Sequence, residues 1–218
     1  MSTNHFPGGA WPVMLTPFTS DNKVDYEGLK ALTNWYIDNG CSGLFSVCQS
    51  SEMFFLSKEE RVNIAKTVIE AADKRVPVIV SGHISDSYED QVDELTAIAA
   101  LNPDALIFIT NRFAKEDESD EIWRQNCEKV MQQLPEALPL GIYECPYPYK
   151  RLVSLENLKW CASTGRFFFL KDTCCDLSLL KARAAAVKGS NLKIYNANTS
   201  TLRDSILAGC DGFCGVMA

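Results

Sequence analysis

Lys171 follows four consecutive apolar residues, Phe167, Phe168, Phe169 and Leu170. An amine at the end of such a run sits where water is scarce. Desolvation disfavours its charged form, lowers its pKa and frees a nucleophile that can attack a carbonyl, which is the chemistry of a Schiff-base lysine. The same residues also describe a lysine whose stem lies on apolar surface while its head reaches solvent. Tyr143 ends the apolar segment 138–143. A phenol beside an imine can pass protons to and from the imine nitrogen, the carbinolamine hydroxyl and the substrate carbon; taken alone, Tyr143 equally describes an amphipathic rim residue. In a third segment, Ser46-Val47-Cys48-Gln49-Ser50-Ser51-Glu52, small and amide-bearing residues offer backbone N–H groups that could hold a carboxylate, or simply form a polar turn.

These segments can cooperate only if the elements carrying them end at one place. Short apolar runs at 12–16, 43–48, 76–81, 105–110, 138–143, 167–171, 192–196 and 212–217 alternate with segments of helical spacing, such as Val62, Ala65 and Ile69, or Leu179, Ala182 and Ala186. Ser57 stands three residues before Glu60, a pairing that satisfies free amides at a helix start; Asp25 and Ser154 precede similar runs, and Gly40 and Gly189 read as helix-ending residues. Continuously apolar runs such as 105–109 are expected where both faces of a parallel strand are covered. Strand and helix alternating around eight strands predict a (β/α)8 TIM barrel in a single domain, 1–218. A doubly wound open sheet is the alternative, but Thr16-Pro17-Phe18-Thr19 after the first strand has no glycine-rich phosphate turn. In a barrel, strands five and six place Tyr143 and Lys171 side by side at the mouth. The chain ends just after its eighth strand, so the expectation is a barrel lacking the eighth helix and a C-terminal helical extension.

Composition narrows the partners. The 218 residues are 46% hydrophobic, enough for a buried core, and carry a net charge of -7 with 21 scattered basic residues, unlike a protein that grips nucleic acid or an anionic membrane. There is no apolar run long enough to cross a bilayer and the first residues do not resemble a signal peptide, so the cytoplasm is the expected compartment. Nine cysteines without zinc or redox spacing read as reduced core thiols, and two histidines, His5 and His83, are too few for a histidine metal site. No metal and no cofactor are expected. His83, shortly after strand three, is a candidate to line the site.

In their order and spacing, several segments resemble the dihydrodipicolinate synthase and N-acetylneuraminate lyase family, the pyruvate-dependent class I aldolases. They are Gly9-Ala10-Trp11-Pro12-Val13-Met14-Leu15-Thr16-Pro17-Phe18, Gly40-Cys41-Ser42-Gly43-Leu44 leading to Ser51-Glu52, Leu56-Ser57-Lys58-Glu59-Glu60-Arg61, Tyr143 with Pro146, Lys171-Asp172-Thr173, and Ala208-Gly209-Cys210-Asp211-Gly212. The resemblance implies that Lys171 forms an imine with pyruvate or a related 2-oxo acid, that Tyr143 relays protons, and that amides near Gln49 and Ser50 grip the substrate carboxylate. Thr173 and Cys214 are the further substrate-binding candidates, Thr173 because it matches the lyase branch's K-x-T pattern. Relatives assemble through their C-terminal helices, so a homo-oligomer, dimer or tetramer, is expected of the full-length protein.

Departures from the family pattern bear on the substrate. Gln49 replaces the first of a usual hydroxyl pair, Phe113 stands where the synthase branch has a relay tyrosine, and Pro148 stands in place of a synthase arginine, for which nearby Arg151 is a candidate substitute. Thr199 and Ser200 replace an acidic pair of the lyase branch. Together these point to a lyase, breaking a carbon–carbon or carbon–oxygen bond, acting on a different 2-keto-3-deoxy or 4-hydroxy-2-oxo acid. A dehydratase using the same imine, and a catalytically silent ligand-binding or assembly subunit, are the alternatives.

Overall fold

A computed structural model describes residues 6–216; His5 and the Met217 end of the eighth predicted strand lie outside them. The elements are β1 (Gly9–Ala10), α1 (Tyr26–Asp38), β2 (Leu44–Ser46), α2 (Lys58–Ala72), β3 (Val78–Val80), α3 (Tyr88–Ala99), β4 (Ala105–Ile109), α4 (Asp120–Met131), β5 (Leu140–Tyr143), α5 (Leu155–Ser163), β6 (Phe167–Asp172), α6 (Leu177–Val187), β7 (Lys193–Asn196), α7 (Leu202–Leu207) and β8 (Gly212–Phe213). All eight strands pair in parallel, in the order β1-β8-β7-β6-β5-β4-β3-β2. The backbone beyond β1 reaches β2 through a parallel bridge between Val13 and Phe45. The result is an α/β, TIM-barrel-like fold.

Local chemistry sets the helix ends. Ser57 accepts from the Glu60 amide while the Glu60 carboxylate accepts from the Ser57 amide, closing both orphan donors at the start of α2. Asp25 and Ser154 cap α1 and α5 as expected, and Ser87, Ser119 and Asp176 do the same for α3, α4 and α6. Gly40 and Gly189 follow α1 and α6 at a φ of 85°, a left-handed turn that any side chain resists.

The first strand differs from expectation. Its ladder to β8 uses the Gly9 and Trp11 amides, which donate to Asp211 and Phe213 carbonyls, ahead of the apolar run at 12–16. Pro12 has no amide to contribute, and Gly8 and Gly9 hide the strand in any propensity reading.

Along each strand successive side chains alternate between the sheet's two faces, so the register separates an inward set from an outward one. Phe45, Ile79, Ile109, Tyr143, Phe169, Lys171 and Tyr195 fall on the inward face. Low in this interior, Phe169 stacks on Tyr195 at 4.0 Å, and Trp11 meets Phe169 at 5.0 Å and Tyr195 at 5.4 Å. Gly141 makes room for them, because a Cβ there would lie 2.4 Å from Ile107 Cδ1. A register shift between β5 and β6 turns Phe167 outward, where it meets Phe108 and Trp160. The four-residue apolar run before Lys171 thus serves both layers, as a strand covered on both faces requires.

Candidate active site

Lys171 and Tyr143 are register partners at the C-terminal ends of β6 and β5, the end of a TIM-barrel-like sheet at which active sites form. Their side chains are 4% and 3% exposed. Lys171 Nζ lies 4.3 Å from the Tyr143 ring centroid and 5.4 Å from that of Phe45, whose ring packs edge-on against Tyr143. Among the described residues no carboxylate pairs with this amine. The nearby acids in sequence, Glu144 and Asp172, point to the outward face and are bound to Arg183 of α6. The ammonium therefore rests on aromatic faces, which stabilise it less than a counter-ion does.

Burial pushes the Tyr143 phenol far above its ordinary range, and the neighbouring Cys145, Cys48 and Cys214 add to that push. At neutral pH Tyr143 holds its proton, which makes it a donor first and a base only after giving that proton away. Three thiols thus crowd the pair. Burial pushes Cys214 up to about 12, with the Lys171 ammonium pulling the other way, and burial also raises Cys145. Cys145 and Cys214 are therefore unreactive thiols at neutral pH. Sequence reading singled out Cys214 but neither Cys48 nor Cys145, whose positions at the ends of β2 and β5 are a matter of topology.

Gln49, Ser50 and Ser51 form a short 3-10 turn after β2. Ser51 Oγ donates to the Met14 carbonyl at 2.5 Å and accepts from the Cys48 amide at 3.1 Å, while Thr16 Oγ1 donates to the Ser51 carbonyl at 2.7 Å. The turn is pinned from beneath by the segment after β1. Its Gln49 and Ser50 amides have no acceptor among the described residues, as at the start of any helical turn. Gln49 is half-buried, with Oε1 3.5 Å from the Cys145 thiol, and farther out the Phe54 and Tyr147 rings meet at 4.7 Å. β3 and β4 separate β2 from β5 in the sheet, so both contacts reach across the mouth.

Thr173 lies one step beyond β6. Its hydroxyl donates to the Glu144 carbonyl at 2.7 Å and its amide to the Glu144 carboxylate at 3.0 Å. The hydroxyl hydrogen is therefore engaged, leaving the oxygen lone pairs for a ligand. Thr199 and Ser200 are exposed, in a 3-10 turn after β7.

Three other candidates sit away from this group. His83 does not line the mouth: it is fully buried, its Nε2 accepts from the Ile109 amide at 2.6 Å, and its ring lies 5.5 Å from Phe113. Burial lowers its pKa to about 3, with Arg112 contributing. Phe113 itself packs outward against Trp123 of α4 at 5.7 Å. Arg151 donates to the Lys115 and Glu118 carbonyls and the Asp120 carboxylate, so its guanidinium is engaged at the start of α4. Among the described residues no group of three His, Cys, Asp or Glu side chains has the geometry to hold a metal ion, and no helix is long and apolar enough to cross a membrane.

A family model described as the dihydrodipicolinate synthetase family matches residues 7–218. Among solved structures, the chain is similar to a chloride-inhibited dihydrodipicolinate synthase from Acinetobacter baumannii complexed with pyruvate, at 26% identity and a TM-score of 0.86, covering 97% of this chain and 70% of that one. A monomeric dihydrodipicolinate synthase variant matches at 18% identity and a TM-score of 0.88, covering 99% and 71%. CdNal from Clostridium difficile, in complex with mannosamine, matches at 20% identity and a TM-score of 0.83, covering 96% and 70%. The last two likenesses concern the fold alone.

Proposed function

The chain belongs to the dihydrodipicolinate synthetase family, and from that premise we propose that it is a Schiff-base-forming lyase, with Lys171 as nucleophile, acting on pyruvate-derived 2-oxo acids. The observation that carries this reading is the inward-facing, buried Lys171 amine with no counter-ion, 4.3 Å from the ring of Tyr143. The pyruvate bound in the Acinetobacter baumannii structure supports the same choice of electrophile.

In this mechanism the neutral Lys171 amine attacks C2 of the 2-oxo acid to give a carbinolamine. The Tyr143 phenol donates its proton to the carbinolamine hydroxyl, which leaves as water, and the nitrogen lone pair closes the imine. The resulting phenolate takes up the proton of the substrate's C4 hydroxyl, while the imine nitrogen keeps its own. The protonated imine accepts electrons from the adjacent carbon, so the C3–C4 bond breaks, an aldehyde departs and an enamine remains. Protonation of the enamine and hydrolysis release pyruvate; condensation is the reverse path. Free amides at Gln49 and Ser50 are suited to the 2-oxo acid's carboxylate, and Thr173 and Cys214 are proposed to contact the substrate.

Because Arg151 is engaged elsewhere and Thr199 and Ser200 are neutral, the substrate we propose is neither dihydrodipicolinate's precursor nor sialic acid but another 2-keto-3-deoxy or 4-hydroxy-2-oxo acid. We propose further that residues 1–218 act as one (β/α)8 domain within a cytoplasmic homo-oligomer. A panel of such acids tests the reaction. Pyruvate release that vanishes in Lys171→Ala is expected; a dehydrated product instead of pyruvate moves the assignment to a dehydratase, and turnover that survives Lys171→Ala refutes it.

A further inference from the structure

We propose that Arg183 is a positioning residue for the Lys171–Tyr143 pair, a buried guanidinium that fastens the ends of β5 and β6 together from the outward face so that the amine and phenol on the inward face keep their spacing. This rests on the imine-forming role of Lys171. Alternation along a strand makes the link direct: each reacting residue is followed by a carboxylate of opposite direction, Tyr143 by Glu144 and Lys171 by Asp172.

The backbone holds this rung weakly. The Glu144 amide reaches the Lys171 carbonyl at 3.3 Å, and the Cys145 amide already turns back to the Tyr143 carbonyl at 2.9 Å, so regular pairing stops here. Two fully buried carboxylates on one face would also drive the strands apart. Arg183, itself 0% exposed, is the cation that pairs with either of them among the described residues. One of its terminal nitrogens, Nη1, donates to Asp172 and, at 3.1 Å, to Glu144 Oε2; the other, Nη2, donates to Glu144 Oε1 at 2.6 Å and to the Val153 carbonyl at 2.7 Å.

The carboxylates' remaining capacity is filled by backbone. Glu144 Oε1 accepts from the Val153 amide at 2.9 Å, Glu144 Oε2 from the Thr173 amide at 3.0 Å, and Asp172 accepts from the Cys174 amide at 2.8 Å. The loops leaving β5 and β6 are thereby tied to each other and to α6 at one point. The planar fork meets two carboxylates and a carbonyl from two separated nitrogens, whereas a lysine's donors all radiate from one.

The test is the rate at which pyruvate becomes trapped on Lys171, followed by timed borohydride quenching and mapping of the Lys171 peptide, per folded molecule, with thermal unfolding measured alongside. Wild type sets the reference. Arg183→Lys is expected to slow imine formation at saturating pyruvate by about 10²-fold, the scale of a 1 Å misplacement of reacting groups, while the half-saturating pyruvate concentration changes by less than about twofold because the Gln49–Ser50 amides are untouched. A merely structural arginine would lower the unfolding temperature and leave that rate unchanged, and this result overturns the proposal. If Arg183→Lys does not fold, Glu144→Gln, which keeps the shape and removes one charge, is judged by the same criterion. Failure of wild type to trap pyruvate at all would refute the functional reading separately; reductive methylation of Lys171 by formaldehyde and borohydride then reports the amine's placement, with a variant rate equal to wild type again overturning the clamp.

Discussion

Lys171 and Arg183 are both buried cations, one on the inward face of β6 and the other on α6 behind its outward face. Arg183 gives its terminal nitrogens to two carboxylates and a carbonyl. Lys171 has two aromatic rings and no acceptor within hydrogen-bond reach among the described residues. Burial works against the charge of Arg183, and the carboxylates Glu144 and Asp172 more than restore it, so that guanidinium is permanently charged and chemically inert. An arginine whose terminal nitrogens are both engaged holds its partners in place; a buried amine without a counter-ion is unfavourable for stability and useful only if it reacts.

Removing each cation therefore has opposite consequences. Lys171→Ala is expected to abolish turnover below detection while leaving the unfolding midpoint in urea unchanged or higher, since an uncompensated amine is lost. Arg183→Met should do most of its damage to stability, about 3–5 kcal/mol, the cost of leaving buried carboxylates without their partner; equilibrium urea unfolding measures it. A stable Arg183→Met protein would erase the distinction drawn between the two cations.

Tyr143→Phe sharpens the inward side of the comparison. It retains the ring that faces Lys171 and removes only the transferable proton, so kcat should fall by about 10²-fold, within the range for a lost acid–base group, with the fold intact by circular dichroism. Equal kcat values for the two proteins would reduce Tyr143 to an aromatic wall.

His83 extends the comparison to a buried group held neutral. Its folded pKa of about 3 lies below the ordinary 6.5, so the unfolded chain binds the extra proton first as pH falls. Stability contributed by neutral His83 is complete above pH 6.5 and declines from there toward pH 3, by about 1.4 kcal/mol per unit, or about 2 kcal/mol between pH 6.5 and 5. His83→Gln, which keeps an acceptor for the Ile109 amide, should lack that component of the decline when the two proteins are unfolded in urea at both pH values.

The inward pair was legible in the sequence because it depends on nearest-neighbour facts: an apolar run ending in lysine, a second ending in tyrosine, and strands that alternate with helices. Arg183 was not. It occupies an ordinary helix, and its partners stand 39 and 11 residues away in the chain, a meeting that only the folded register creates. His83 was misplaced for a related reason. Its position after β3 marks the rim correctly, but the side chain's direction is fixed by an amide of β4 that no local pattern announces. Helix caps were legible because their chemistry is complete within four residues, whereas the glycine–proline start of β1 concealed a strand whose hydrogen bonds are supplied by β8.

The direct measurement is borohydride reduction of the protein incubated with pyruvate, followed by peptide mass spectrometry. A stable adduct confined to the peptide containing Lys171, absent in Lys171→Ala, is the expected result. A folded protein that shows no adduct at Lys171, or the same adduct on another lysine, would contradict the assignment of this amine as the nucleophile.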